Sequence, residues 1–137
     1  MNELMMKELL TNAKSAAKKN SCCKYSGFTV GAALLDKDGN IHSGINVENQ
    51  GIQSICAERT AFVSALTKGN HDFRAIAVVG KRVDAKNFSK TLPCGYCRQF
   101  MSEYAGPDLL IITQDEADNK IYEYTLKELL PEAFLDF

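Results

Sequence analysis

Two cysteines stand three residues apart in the stretch TLPCGYCRQF, which runs from residue 91 to residue 100. Cys94 and Cys97 follow a proline and precede an arginine. A Cys-x-x-Cys pair fits a redox site, half of a structural zinc site or part of a catalytic metal site. The spacing also arises by chance, so the rest of the chain must decide among these interpretations.

A third cysteine and a nearby carboxylate favour the catalytic metal site. In SICAERTAF, Cys56 lies 38 residues before Cys94, so two predicted helices each begin at a cysteine. Helix N-termini carry unpaired N–H groups and a partial positive charge, which favour the thiolate that binds metal. Three thiolates leave one position of a tetrahedral zinc open, as catalytic sites require. Glu58 would lie over that position if the site lies beyond the helix tip.

The alternatives explain less of the pattern. A thioredoxin-like redox pair is expected after the first strand of a βαβ unit, whereas this pair follows three predicted strands. A structural site with three cysteines and one histidine would need His42 or His71, and neither has motif spacing to a cysteine. Cys22 and Cys23 show no metal pattern, and we interpret them as structural residues.

The elements that must position these residues alternate along the chain. Hydrophobic spacing and turn residues predict, in order, a helix, two strands, a helix, a strand, a helix, two strands and a short helix. The first two strands form a hairpin through DKDGN, VDAKNFSK is a polar loop, and KIYEYT is an edge strand. This order predicts an α/β fold, a three-layer α/β/α sandwich with a mixed five-stranded sheet.

Length and charge limit the range of functions. The 137 residues fit one domain, residues 1–137, which can bury a core without disulfides. Sixteen Lys and Arg residues face 17 Asp and Glu residues, a balance that disfavours a nucleic-acid partner. No window approaches the ~20 apolar residues of a membrane span, and the N-terminus does not resemble a signal peptide. We therefore expect a cytoplasmic protein with reduced thiols and no membrane partner.

The motifs CAERTA and PCGYCRQ together resemble those of the zinc-dependent cytidine deaminases, in the three-cysteine form of the nucleoside-acting branch. The resemblance extends through YSGFTVGAALL, NVEN and ELLPEAF, over nearly the whole chain. It implies a cytidine deaminase-like fold, with one Zn²⁺ per subunit held by Cys56, Cys94 and Cys97. Glu58 would move a proton from the zinc-bound water to N3 of cytosine and help ammonia leave. Cytidine and 2′-deoxycytidine would thus become uridine and 2′-deoxyuridine in pyrimidine salvage.

The resemblance also implies a nucleoside pocket shared between subunits. Asn46 and Glu48 would hydrogen-bond the sugar, chiefly its 3′ hydroxyl. Phe28 would line the pocket, and main-chain groups around Ala57 would read the edge of cytosine. Phe134 would reach into a neighbouring subunit and stack on the base, which implies a homotetramer.

Two arginines directly follow motif residues. Three thiolates on Zn²⁺ sum to a charge of −1, which would weaken the metal as a Lewis acid. By similarity to the family, Arg59 and Arg98 would hydrogen-bond the thiolates and offset that charge.

The chain departs from the usual family pattern at four places. Lys24 stands where proline is common, and Tyr96 replaces a small residue inside the Cys-x-x-Cys pair. The loop between Asn46 and Cys56 is one residue shorter, with Ile52 in the region of a usual tyrosine. These changes leave open a modified cytosine nucleoside, such as an N4-substituted cytidine or blasticidin S, as the substrate. A zinc-stabilised binding module and an editing deaminase that acts on RNA or DNA are further alternatives.

Overall fold

The computed structural model describes residues 1–135. The predicted domain, residues 1–137, extends two residues beyond this range. Helices and strands alternate in the order α1 (Glu3–Lys19), β1 (Phe28–Asp36), β2 (Ile41–Ile45), α2 (Ala57–Thr67), β3 (Phe73–Arg82), β4 (Ser89–Lys90), α3 (Gly95–Tyr104), β5 (Leu110–Asp115), β6 (Lys120–Thr125) and α4 (Leu126–Leu129). Within residues 1–135, no helix is long and apolar enough to cross a membrane.

The strands form one mixed sheet in the order β2-β1-β3-β5-β6. The central strands β3 and β5 run parallel, and the other neighbours in this order pair antiparallel. The mixed sheet of five main strands is therefore confirmed, with β6 at an edge as predicted, and a short sixth strand, β4, pairs with β3. The prediction that VDAKNFSK is only a loop was wrong at Ser89 and Lys90, which form β4. Strand β5 pairs β3 along Ala75–Ala77, so Val79 and Gly80 can pair with β4 instead.

Helices cover both faces of the sheet, and the buried strands carry apolar residues toward both faces. On β1, Ala33 and Leu35 face the core beneath α1, whereas Ala32 and Leu34 face the core beneath α2 and α3. This alternation follows from the two-residue period of a strand. The three-layer α/β/α sandwich is confirmed.

The helix boundaries follow local sequence signals. Helix α2 ends at Thr67, and Gly69 follows with a φ of +90°, in the left-handed region that favours glycine. The side chains and main-chain N–H groups of Thr125 and Glu128 form a reciprocal capping box at the start of α4. The predicted terminal helix ends at Leu129, two residues before Pro131.

A glycine on β2 sets how closely α2 approaches the sheet. A Cβ atom at Gly44 would lie 2.4 Å from the carbonyl oxygen of Ala57 and 2.5 Å from the nitrogen of Ala61. The first turns of α2 therefore rest directly on the backbone of β2. This contact fixes the position of the helix start relative to the sheet.

We predict that Gly44→Ala lowers the free energy of unfolding by about 1–3 kcal/mol, because the new methyl group must displace the main chain of α2. Denaturant unfolding of the zinc-loaded protein measures this loss. Gly106→Ala is the matched control, because the structure leaves open space around a Cβ atom there. Equal stability of the two variants would contradict the close approach of α2 to β2.

Candidate active site

Two helices begin at cysteines, as the sequence predicts. Cys56 is the N-cap of α2 and Cys94 is the N-cap of α3, each with extended backbone angles. Serine or aspartate at such a position usually accepts a hydrogen bond from the first turn. Within residues 1–135, neither thiol caps its helix in this way, so both sulfurs are available for another partner. Cys97 is buried in the first turn of α3.

The three sulfurs of Cys56, Cys94 and Cys97 all lie within 4.8 Å of one another. The Sγ atoms of Cys56 and Cys94 are 3.8 Å apart. At the usual zinc–sulfur distance of about 2.3 Å, tetrahedral geometry separates two sulfur ligands by about 3.8 Å. The cysteines are free thiols, so the donor set fits a zinc ion. The alternative ligand His42 is committed elsewhere, with its Nε2 atom 3.0 Å from a carboxylate oxygen of Asp36.

Hydrogen bonding favours a thiolate at Cys56. The hydrogen bond with Cys97 is the largest cause that lowers the pKa of Cys56, to about 5; partial burial opposes it and Arg59 assists it. The same bond, together with burial, raises the pKa of Cys97. The hydrogen bond therefore favours the negative charge on Cys56 and the proton on Cys97.

Arg59 lies beside this thiolate. Its Nη2 atom is 3.5 Å from the Sγ atom of Cys56 and 3.5 Å from the carbonyl oxygen of Ser54. The ring of Tyr96 covers the guanidinium group, whose carbon is 4.1 Å from the ring centroid. The unusual residue inside the Cys-x-x-Cys pair thus stacks on the arginine, a contact that the spacing of the motif does not reveal.

Glu58 combines burial with access to a cavity. Its side chain is 4% exposed, and burial is the main reason that its pKa is raised to about 7, with a further contribution from the charge on Cys56. Glu58 lines a cavity of about 260 Å³ together with Cys56, Ala57 and Cys94. A carboxyl group with this pKa can accept and return a proton near neutral pH.

Asn46 lines the same cavity and has a fixed orientation. Its Nδ2 atom donates to the carbonyl oxygen of Phe28 at 2.9 Å, and its Oδ1 atom accepts from the N–H of Val30 at 2.9 Å. A main-chain carbonyl only accepts and a main-chain N–H only donates, so the two ends of the amide cannot be exchanged. The second Nδ2–H remains for a ligand.

Glu48 lines the cavity beside Asn46. Its Oε1 atom accepts hydrogen bonds from the main-chain N–H groups of Tyr25 and Ser26, each at 3.0 Å. The Ser26 side chain, followed by these main-chain groups, lowers the pKa of Glu48. An ionised carboxylate has about four acceptor positions, so Glu48 retains capacity for a ligand hydroxyl.

The two predicted aromatic contacts lie outside this cavity in the described part of the chain. The Phe28 ring packs on Gly80, where a Cβ atom would lie 2.7 Å from Cε1 of the ring. Phe134 is 65% exposed, and its carbonyl oxygen accepts a hydrogen bond from Gln99 at 2.7 Å. The roles of Phe28 and Phe134 in binding a nucleoside stay predictions.

Arg98 hydrogen-bonds main-chain carbonyl oxygens instead of the thiolate that the resemblance implies. Its Nε atom donates to the carbonyl oxygen of Pro93 and its Nη1 atom to that of Leu129, both at 2.8 Å. Arg98 therefore ties the segment before Cys94 to α4 through the main chain. Sequence spacing alone does not distinguish a carbonyl partner from a thiolate partner.

Sequence reasoning also missed Asn20 as a neighbour of the cavity. Its side-chain nitrogen lies 2.7 Å from Oδ1 of Asn46, a residue 26 positions away. No spacing signal predicts such a contact, because it depends on how α1 meets the strands.

Comparisons with known proteins agree with this site. Residues 5–113 match the family model described as the cytidine and deoxycytidylate deaminase zinc-binding region. A cytidine deaminase from Halalkalibacterium halodurans is 41% identical over 132 residues, which cover 95% of each chain. A blasticidin-S deaminase from Bacillus cereus is 36% identical over 107 residues, 74% of each chain. The crystal structure of a cytidine deaminase from Burkholderia pseudomallei matches with a TM-score of 0.80 and 38% identity, and covers 98% of this chain and all of that one.

The cluster of three cysteines and the match to the zinc-binding region place this chain in the class of zinc-binding deaminases. The chain belongs to the cytidine deaminase family and is an enzyme of that family.

We predict that Arg59→Ala speeds the transfer of zinc to a chelator by about tenfold or more, because the charge on Cys56 loses its nearby cation. Release of zinc into a colorimetric chelator measures the rate. Arg74→Ala is the control, since Arg74 is an exposed arginine on β3. Equal release rates in the two variants would show that Arg59 does not stabilise the metal site.

Proposed function

We propose that the protein catalyses the hydrolytic deamination of cytidine and 2′-deoxycytidine to uridine and 2′-deoxyuridine, with release of ammonia. The observation that carries this proposal is one cavity that brings together Glu58, two of the clustered cysteines, Asn46 and Glu48. A proton-transfer group, a metal donor set and a polar pair suited to a sugar thus share a space of about 260 Å³. The family relatives named cytidine deaminase support the same reaction.

The residues divide the chemistry between them. Cys56, Cys94 and Cys97 would hold one zinc ion per subunit, which supplies Lewis acidity and makes hydroxide available near neutral pH. Glu58 takes a proton from the attacking water and delivers it to N3 of cytosine as oxygen bonds to C4. Glu58 then takes the proton of the hydroxyl group added at C4 and passes it to the amino group, so that the C4 carbonyl forms, the C4–N bond breaks and ammonia leaves. The raised pKa of Glu58, about 7, suits both directions of transfer.

The sugar is held by a donor and an acceptor. The second amide N–H of Asn46 donates to a hydroxyl oxygen, and the carboxylate of Glu48 accepts the hydroxyl proton. The 3′ hydroxyl is common to cytidine and 2′-deoxycytidine, so this pair can accept both nucleosides. Main-chain groups around Ala57, which also lines the cavity, are suited to read the edge of the base.

A modified cytosine nucleoside is the second candidate substrate. Ile52, in the loop without the usual tyrosine, is fully exposed, so its side chain closes no part of the cavity in this chain. The relative named blasticidin-S deaminase adds support. Such a substrate would keep the chemistry of Glu58 and change only the groups that the pocket wall admits.

A panel of substrates tests the proposed reaction. We predict that the zinc-loaded protein releases ammonia from cytidine and 2′-deoxycytidine, and that Glu58→Gln lowers kcat by about 10²-fold or more with its zinc content unchanged. Glu123→Gln, an exposed change on β6, is the control. An N4-substituted cytidine, blasticidin S and a single-stranded oligonucleotide complete the panel.

Each outcome separates the alternatives. Turnover restricted to the modified compounds would move the substrate, and turnover of the oligonucleotide alone would indicate an editing enzyme. Zinc binding without turnover of any compound would indicate a binding module. Full activity of Glu58→Gln would overturn the role of that carboxyl group.

We further propose a homotetramer whose active sites are shared between subunits, at work in pyrimidine salvage in the cytoplasm. Three apolar side chains between Asn46 and Cys56 are exposed in the single chain: Val47, Ile52 and Ile55. Phe134 is 65% exposed on the same chain and would complete a neighbour's site by stacking on the base. Burial of these side chains between subunits would remove apolar surface from water.

We predict a particle of about four times the 15.1 kDa chain mass. Sedimentation velocity at the concentration of the assay measures this mass.

Phe134→Ala is expected to raise KM for cytidine about tenfold through loss of the stacking contact, whereas Val83→Ala, at another exposed apolar side chain, is not. A fully active monomer would contradict shared sites.

A further inference from the structure

Asn20 follows α1 and reaches the substrate side of the cavity through Asn46. We propose that Asn20 is a positioning residue that holds the amide of Asn46, and the segment 22–26 that binds Glu48, in the arrangement that binds a sugar hydroxyl. The identity of the ligand rests on the proposed function, whereas the positioning itself rests on contacts within the chain.

The side-chain amide of Asn20 has a fixed orientation. Its Oδ1 atom accepts from the main-chain N–H of Cys22 at 2.7 Å. Its Nδ2 atom lies 2.7 Å from Oδ1 of Asn46 and 3.2 Å from the carbonyl oxygen of Asn46. The N–H of Cys22 can only donate, so the oxygen end of Asn20 must face it and the NH₂ end must face Asn46.

Thr29 supports the same orientation of the Asn20 side-chain amide. Its hydroxyl group is buried and donates to the carbonyl oxygen of Ala17 in α1 at 2.8 Å. With its proton used there, the Thr29 oxygen accepts from Nδ2 of Asn20 at 3.1 Å. Asn20 therefore donates toward Asn46 on one side and toward Thr29 on the other, and Thr29 donates onward to Ala17. These hydrogen bonds connect the end of α1 to the cavity.

These contacts decide what Asn46 can offer to a ligand. Its Oδ1 atom accepts from both Val30 and Asn20, which uses both lone pairs of that oxygen. One Nδ2–H is used by Phe28, so a single N–H remains. Asn46 thus meets a ligand only as a donor, and Glu48 supplies the matching acceptor. A hydroxyl group placed between them can satisfy both.

Asn20 also orders the segment that holds Glu48. The N–H of Cys22 is bound by Asn20, and the carbonyl oxygen of Cys22 accepts from the N–H of Glu48 at 2.9 Å. The same segment continues to Tyr25 and Ser26, whose N–H groups bind the carboxylate of Glu48. One side chain therefore supports both members of the donor and acceptor pair.

Two variants separate these contacts. Asn20→Asp keeps an oxygen for the N–H of Cys22 but places a carboxylate oxygen against Oδ1 of Asn46, where two acceptors repel. Asn20→Ala removes all of the side-chain hydrogen bonds of Asn20 without adding a charge, and it is the second variant. Asn70→Ala is the matched control, because Asn70 also follows a helix and its Nδ2 atom donates to the carbonyl oxygen of Ala65 at 3.3 Å, at the C-terminal end of α2.

The kinetic test compares cytidine with 3′-deoxycytidine, which lacks the hydroxyl group assigned to Asn46 and Glu48. We expect Asn20→Asp to lower kcat/KM for cytidine about tenfold, mainly through KM, because one positioned hydrogen bond is lost. For 3′-deoxycytidine we expect a change of less than about twofold, since the lost contact is absent already. Asn70→Ala should change neither value.

A second measurement does not depend on activity. In ¹⁵N-labelled protein, the Asn46 side-chain N–H that donates to Phe28 is expected to exchange slowly with solvent, because Asn20 holds the oxygen end of the same amide in place. Asn20→Asp should speed that exchange and shift the Asn46 side-chain resonances, whereas Asn70→Ala should leave them unchanged. The measurement therefore reports on the position of Asn46 in the free protein.

The outcomes distinguish the two proposals. Equal losses on cytidine and 3′-deoxycytidine, or unchanged Asn46 resonances in Asn20→Asp, would overturn the positioning role. Shifted Asn46 resonances in a protein that does not deaminate cytidine would support that role and overturn the proposed function instead.

Discussion

The convergence of two helix N-termini at one point is the constraint on which the rest of the site depends. Cys56 and Cys94 begin α2 and α3, and their sulfurs lie 3.8 Å apart. Each helix start contributes a partial positive charge, so the cluster of sulfurs lies where negative charge is stabilised. The sheet sets this geometry, because α2 rests on β2 at Gly44 without an intervening side chain.

The two carboxyl groups that line the cavity lie in contrasting environments. Glu58 lies in the first turn of α2, is excluded from water and has a raised pKa. Glu48 lies in a loop where the hydroxyl and N–H groups of Ser26 and the N–H of Tyr25 lower its pKa. One carboxyl group can therefore carry a proton near neutral pH while the other remains an acceptor. Burial and local hydrogen bonding, rather than residue type, separate their roles.

Much of the fold and of the metal site could be predicted because their signals are local. The apolar strands, the Asp-Gly-Asn turn and the helix stop at Gly69 each depend on neighbouring residues, and all appear in the structure. Cys56, Glu58, Cys94 and Cys97 belong to short motifs with fixed spacing. Strand β4 escaped prediction because two residues carry no periodicity, and its pairing depends on where β5 ends.

The contacts of Asn20 and Arg98 escaped prediction for a different reason. Asn20 contacts Asn46 across 26 residues, and Arg98 contacts Leu129 across 31. The two hydrogen bonds of Arg98 go to the main-chain carbonyl oxygens of Pro93 and Leu129. Every residue has such a carbonyl group, so the sequence does not show which one is the partner. Only the packing of α1 and α4 against the rest of the chain brings these groups together.

The 3.8 Å contact between Cys56 and Cys94 also affects the conformational entropy of the unfolded chain once a ligand bridges the two residues. A ligand that bridges these residues closes a loop of 38 residues, which contains all of α2 and all of the central strand β3. In an unfolded chain such closure removes many conformations, and the cost rises only slowly with loop length. Bridging at this one point therefore restricts the conformations that the segment between Cys56 and Cys94 can adopt when the chain unfolds.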